Sequence, residues 1–141
     1  MHVRLADLGA TEAFAAQLCQ YLRHGDLVAL QGELGVGKTA IARQIIRTLS
    51  ERPGEEVASP TFNLVLIYAF PRVTIWHFDL YRIGAPEETW ELGLEDAFAS
   101  GITLIEWPDR ASGLLPSNHM IIRLAYGTKQ DQRTAGILGG Q

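Results

Sequence analysis

Eight consecutive residues carry the densest chemistry of the chain: Gly32-Glu33-Leu34-Gly35-Val36-Gly37-Lys38-Thr39. They match G-x-x-x-x-G-K-[ST], the pattern of a phosphate-binding loop. Glycines let the backbone curl so that successive N–H groups point inward at phosphate oxygens. The Lys38 ammonium is a point charge for β- and γ-phosphates, and the Thr39 hydroxyl can ligate magnesium. A helix starting at Lys38 adds the positive end of its dipole. Nucleotide contacts are expected at Gly32, Gly35, Val36, Gly37, Lys38, Thr39 and Ala40. The plain alternative is a glycine-rich strand–helix turn without a ligand. Chance produces such a match roughly once in two hundred chains of this length, and the flanking strand and helix sharpen the signal. The loop does not by itself separate ATP from GTP. The guanine-reading N-K-x-D and the γ-phosphate-sensing D-x-x-G are missing from their expected places, which favours adenine.

A magnesium–phosphate site also needs an acid, usually at the end of a neighbouring strand. Asp79 ends Thr74-Ile75-Trp76-His77-Phe78-Asp79, and Glu106 ends Ile102-Thr103-Leu104-Ile105-Glu106. Both stand where apolar runs stop, which in an open α/β sheet is where ligands bind. Either acid could ligate the metal, orient an attacking water, or simply cap the next turn. Lys38, Asp79 and Glu106 are the catalytic candidates; Thr39, Asp79 and Glu106 are the metal candidates.

Ser59-Pro60-Thr61-Phe62 precedes a strand. Pro60 biases Ser59 toward an extended conformation, and Thr61 offers a hydroxyl that could sense a γ-phosphate. Taken alone, the stretch reads as a simple strand start. His77 and Asp79 are two apart on a strand and share a face. Arg82 suits a phosphate, a partner carboxylate or plain solvent. Trp107 suits core packing as well as a place at the nucleotide or against a partner.

These residues need a scaffold. Val3–Leu5 is expected as a short edge strand. Thr11 is a candidate N-cap for a helix over Glu12–Arg23, with Phe14, Ala15, Leu18, Cys19 and Leu22 at helical spacing. Leu27–Leu30 reads as a strand buried on both faces, and Lys38–Leu49 as a helix. Ser50–Ala58 reads as a surface loop. Phe62–Tyr68 and Val73–Phe78 suggest a hairpin. Pro86 suits the first position of a helix with Glu87 and Glu88 in its first turn, and Leu94–Ala99 suggests another helical piece. Ile102–Glu106 and His119–Tyr126 read as strands, and Arg133–Leu138 as a last edge strand before a Gly139-Gly140 tail. The pattern predicts a single α/β domain over residues 1–141: a central mixed sheet flanked by helices in three layers, with an antiparallel hairpin.

Composition narrows the function. With 141 residues and 47% apolar content, one domain can bury a core without disulfides or a structural metal. The single cysteine, Cys19, falls in an apolar helical pattern and is expected as a small core residue. The net charge of −4 argues against this chain gripping nucleic acid alone, since that needs a basic surface. No apolar stretch reaches membrane-spanning length, and Met1–Asp7 lacks a signal core. A cytoplasmic setting is expected.

Taken together, Gly32–Thr39, Ser59–Phe62, the His-x-Asp-x-Tyr-Arg of His77–Arg82 and the Glu-Trp-Pro of Glu106–Pro108 resemble the TsaE (YjeE) family. The resemblance spans about Leu5 to Ala135. It implies a P-loop fold and an ATP- and Mg2+-dependent ATPase that is weak alone. It also implies work with the TsaB and TsaD proteins, and with TsaC-type enzymes, in threonylcarbamoylation of the adenosine next to the anticodon, with tRNA reached through those partners. It places Thr61 on a first switch and Asp79 on a second, Lys38 on phosphate, and Thr39 and Glu106 on magnesium. Trp107 matches a tryptophan near the nucleotide, the segment around Gly9–Thr11 a position near adenine, and Arg133 an arginine at the nucleotide. Gly127–Gln141 departs from the family pattern. A small-molecule kinase with Asp79 as base, or a non-catalytic nucleotide-gated module, would use the same loop.

Overall fold

The computed structural model describes residues 2–111, 113–116 and 119–139. In chain order the elements are β1 (His2–Leu5), α1 (Leu8–Leu18), β2 (Leu27–Gln31), α2 (Lys38–Ser50), β3 (Val65–Ala69), β4 (Thr74–Asp79), α3 (Glu88–Glu91), α4 (Leu94–Ser100), β5 (Ile102–Glu106), β6 (Met120–Tyr126) and β7 (Arg133–Gly139). Short 3-10 turns follow α1 at Cys19–Tyr21 and β5 at Pro108–Ala111.

One seven-stranded sheet runs β1-β7-β6-β2-β5-β4-β3. Strand β2 lies between β6 and β5 and is parallel to both, and β4 is parallel to β5. The pairs β1/β7, β6/β7 and β3/β4 are antiparallel. This is the expected mixed sheet with its hairpin. Alternation along the central strands feeds two cores. Val28, Leu30, Leu104 and Ile122 pack with Ala15 and Leu18 of α1 and Ile41, Ile45 and Ile46 of α2. Leu27, Phe78 and Ile105 pack with Leu94 and Ala97 of α4 on the other side. Burying each such isoleucine or leucine contributes about 1.5–3 kcal/mol, so the helices are pinned to opposite faces of the sheet.

Several local expectations need correction. The N-cap of α1 is Asp7, whose carboxylate accepts from Ala10 N at 2.8 Å. Thr11 lies one turn inside the helix, its hydroxyl donating to Asp7 O at 3.3 Å. An aspartate accepts the orphan amides of a first turn as well as a threonine does, so the helix starts earlier than its apolar periodicity alone suggests. Phe62–Leu64 is a turn and not strand, with Leu64 at φ +69° and its N–H on Pro60 O at 2.7 Å. Pro86 sits in a turn before the brief α3, and Glu88 reaches back to accept from Gly84 N and Ala85 N. Strand β7 is internal, between β1 and β6; only β1 forms that edge. Gly140 of the expected tail lies outside the described residues. Cys19 is buried as expected, its Sγ 3.4 Å from Ala15 O.

Candidate active site

Parallel pairing decides where the chemistry gathers. In register, Leu30 of β2 stands beside Glu106 of β5, and Glu106 beside Asp79 of β4. Three parallel strands therefore end together, and the phosphate loop leaves β2 at that line. This is the carboxyl edge at which open α/β sheets bind ligands.

The loop itself is tight. Gly32 has φ +151°, and a Cβ there would stand 2.7 Å from Val36 Cγ1 and 2.8 Å from Leu124 O. Lys38 is buried, its ammonium donating to Gly32 O at 2.5 Å and Glu33 O at 3.0 Å. Burial lowers its pKa below the ordinary lysine value, while Glu106, Asp79 and Asp109 pull the other way. The Trp107 ring centroid lies 4.0 Å from Lys38 Nζ, and the Tyr81 ring is tilted on Trp107 at 4.7 Å. Trp107 has φ +60°, a left-handed conformation uncommon for a bulky residue. The chain thus turns sharply after Glu106 and lays its indole against the lysine. Trp107 packs against the second core and also lines the hollow beside Lys38.

The two acids have different company. Thr39 Oγ1 donates to the Glu106 carboxylate, 3.0 Å from each oxygen. Glu106 Oε2 also meets His77 Nε2 at 2.7 Å. Asp79 instead accepts from Tyr81 N at 3.0 Å and from Thr61 Oγ1 at 3.4 Å. Thr61 Oγ1 lies 2.6 Å from Ser59 Oγ, and its carbonyl accepts from Arg82 at 2.8 Å. The segments 59–61 and 79–82 are therefore bonded to one another, and Arg82 serves that link. Its guanidinium also lies 5.2 Å from the Phe62 ring centroid.

A cavity of about 230 Å³ runs over Lys38, Thr39, Ser59, Thr61, Asp79, Glu106 and Trp107. A second, of about 480 Å³, lies on the other flank of the loop and is lined by Asp7, Thr11, Val36, Ala40, Asp131 and Arg133 among others. Both include Gly35, Gly37 and Ala40, so the loop runs between two hollows. Thr11 and Arg133 are in the larger hollow; Thr61, Asp79, Glu106 and Trp107 are in the smaller. Every candidate residue except Gly32 thus lines one of these two hollows; Gly32 lies at the start of the loop, beside Leu124. Sequence reasoning missed Asp7, Asp131 and Tyr126. An aspartate three residues before an alanine-rich helical run was the available signal for Asp7; the other two had none.

A family model described as "Threonylcarbamoyl adenosine biosynthesis protein TsaE" matches residues 5–135. The chain belongs to the TsaE family. Among TsaE relatives, the tRNA threonylcarbamoyladenosine biosynthesis protein TsaE of Rickettsia bellii is 45% identical over 127 residues, 90% of this chain and 87% of the relative. The protein of the same name from Synechocystis sp. is 38% identical over 117 residues, 78% of this chain and 71% of the relative. A crystal structure of YdiB from Bacillus subtilis superposes with TM-score 0.79, covering 100% of this chain and 86% of that one at 24% identity. That likeness shows a shared fold, and the TsaE relatives supply the family.

Proposed function

We propose that this chain binds ATP with Mg2+ across the phosphate loop and hydrolyses it in tRNA threonylcarbamoyladenosine biosynthesis, with TsaB and TsaD proteins as its partners. The pathway rests on the family model and the names of the relatives. The observation that carries the chemistry is Thr39 Oγ1 held 3.0 Å from both Glu106 oxygens, beside the buried Lys38 ammonium.

The donor set fits magnesium, a hard cation that takes hydroxyl and carboxylate oxygens. Thr39 and Glu106 would hold it, and the bound ion would neutralise phosphate charge. Among the described residues no cluster of three or more His, Cys, Asp or Glu could hold an ion. Mg2+ often keeps waters and takes substrate phosphates to complete its shell. Lys38 and the inward amides bind the phosphates. Asp79 positions Thr61, so the segment 59–61 answers to whatever lies at the phosphate end. Adenine and ribose would occupy the larger hollow beside Thr11 and Arg133. Charge −4 leaves tRNA to the partners. Among the described residues no helix is long and apolar enough to cross a membrane. A cytoplasmic setting belongs to the same proposal.

Phosphate release measured with and without TsaB and TsaD tests this. Wild type should turn over slowly alone and faster with partners. Lys38→Ala should lower both rates by on the order of a hundredfold or more. Normal hydrolysis by that variant in the assembled complex would overturn the assignment. A phosphorylated small molecule in place of free phosphate would turn the reading to a kinase.

A further inference from the structure

The hairpin at the end of the sheet reaches back to the phosphate loop. Antiparallel register sets Tyr126, the last residue of β6, opposite Arg133, the first of β7. The turn between them is closed by Gly127 N on Gln132 O at 2.8 Å and Thr128 Oγ1 on Gln132 Oε1 at 2.8 Å. The Arg133 guanidinium lies 4.6 Å from the Tyr126 ring centroid. The pair is thus one stacked unit.

Both side chains donate to the loop. Tyr126 Oη donates to Leu34 O at 3.0 Å, and Arg133 Nε to Val36 O at 2.9 Å. Arg133 Nη1 is anchored on Gln130 O and Gln132 O at 2.9 and 3.0 Å. Two alternate carbonyls are therefore held from the hairpin side. A trans peptide unit is planar, so its C=O and the next N–H point in opposite directions. Holding Leu34 C=O aims Gly35 N–H away from the hairpin, and holding Val36 C=O does the same for Gly37 N–H. Gly35 and Gly37 have φ +80° and +122°. Glycine reaches those angles freely but also leaves them freely. The loop's own sequence permits the anion-binding curl; it does not hold it.

We propose that Tyr126 and Arg133 are positioning residues that brace the phosphate loop, fixing the direction of the Gly35 and Gly37 amides before any nucleotide arrives. They act through the loop backbone and touch no reacting atom. This rests on the reading that the loop takes a nucleotide's phosphates. It gives Arg133 a task beyond lining the nucleotide hollow, and it ties the hairpin turn to phosphate affinity.

Tyr126→Phe removes one oxygen and keeps the ring under Arg133. Arg133→Lys keeps the charge and loses the fork. Calorimetry with MgADP, thermal melting of the empty protein and amide exchange at Gly35 and Gly37 form the test. For Tyr126→Phe we expect MgADP affinity to fall about five- to tenfold, faster exchange at the two amides, and an unchanged melting temperature. Arg133→Lys should lose at least as much affinity. If Arg133→Lys fails to fold, Tyr126→Phe decides alone. Wild-type uptake of MgADP with Tyr126→Phe within twofold of it would overturn the brace and leave the proposed function standing. No uptake by wild type would overturn the reading of the loop, and the brace with it.

Discussion

His77 and Glu106 meet side chain to side chain inside the sheet, Nε2 to Oε2 at 2.7 Å, with the imidazole fully buried. They come from neighbouring parallel strands, on which His77 pairs with Leu104 and Asp79 with Glu106. His77 Nδ1 has no hydrogen-bond partner among the described residues. Among the described residues the ring's polar contact is with the acid that also receives Thr39. A carboxylate oxygen accepts, so in this contact Nε2 is the donor. The imidazole turns the carboxylate toward Thr39.

A ligand's supporting hydrogen bond tunes metal affinity. His77→Ala should weaken the apparent Mg2+ affinity of nucleotide hydrolysis by about 10- to 100-fold, the range for lost outer-shell partners. His77→Gln, which keeps a donor, should recover part of it. Magnesium titrations of phosphate release check this; an unchanged magnesium requirement in His77→Ala would show that Glu106 orients itself.

Gly32→Ala should fold poorly and lose nucleotide. Its Cβ would be forced against Val36 Cγ1 and Leu124 O at a φ of +151°, at a cost of about 1–3 kcal/mol from the backbone alone. Gly54 offers the control, since a Cβ there meets nothing within 4 Å. Gly54→Ala should stay within about 0.5 kcal/mol of wild type. Urea unfolding of the pair is the measurement, and equal midpoints would refute the steric account.

Cys19 should be inert. Burial pushes its thiol from 9.0 up to about 11, opposed by a hydrogen bond with Thr48. At pH 8 a thiol reagent should label the folded protein far more slowly than the unfolded chain, because the thiolate is the reactive form. The raised value also sets a pH dependence. Above pH 9.0 the unfolded chain loses the proton and the folded chain keeps it until about 11. The thiol's contribution is thus complete below pH 9.0 and is lost as pH rises through that window. Cys19→Ala should flatten that part of the stability profile; an identical profile would assign the alkaline loss to other groups.

Much of the site was legible because its signals are local. The phosphate loop is eight adjacent residues whose types are dictated by backbone curl and one positive charge. Strand ends at Asp79 and Glu106 show as apolar runs stopping at an acid, and β5 has the bounds expected of it. Less legible were features with two local solutions of similar energy. Asp7 and Thr11 are both good helix caps, and Asp7 takes the role by accepting from Ala10 N. Phe62–Leu64 has strand-forming residues, yet the turn at Leu64 wins by bonding to Pro60 O.

What the sequence alone determined, then, is the kind and order of the main elements and the glycine-rich loop between β2 and α2, because near-neighbour sterics, periodicity and capping act over a few residues. Only the tertiary structure decided that Glu106, not Asp79, takes the Thr39 hydroxyl, that β7 is internal, and that Tyr126 and Arg133 hold the loop. Those bonds join residues 67, 92 and 97 positions apart. Strand order sets such meetings, and strand order is chosen by burial of the whole sheet, a quantity to which no single stretch of sequence is sensitive.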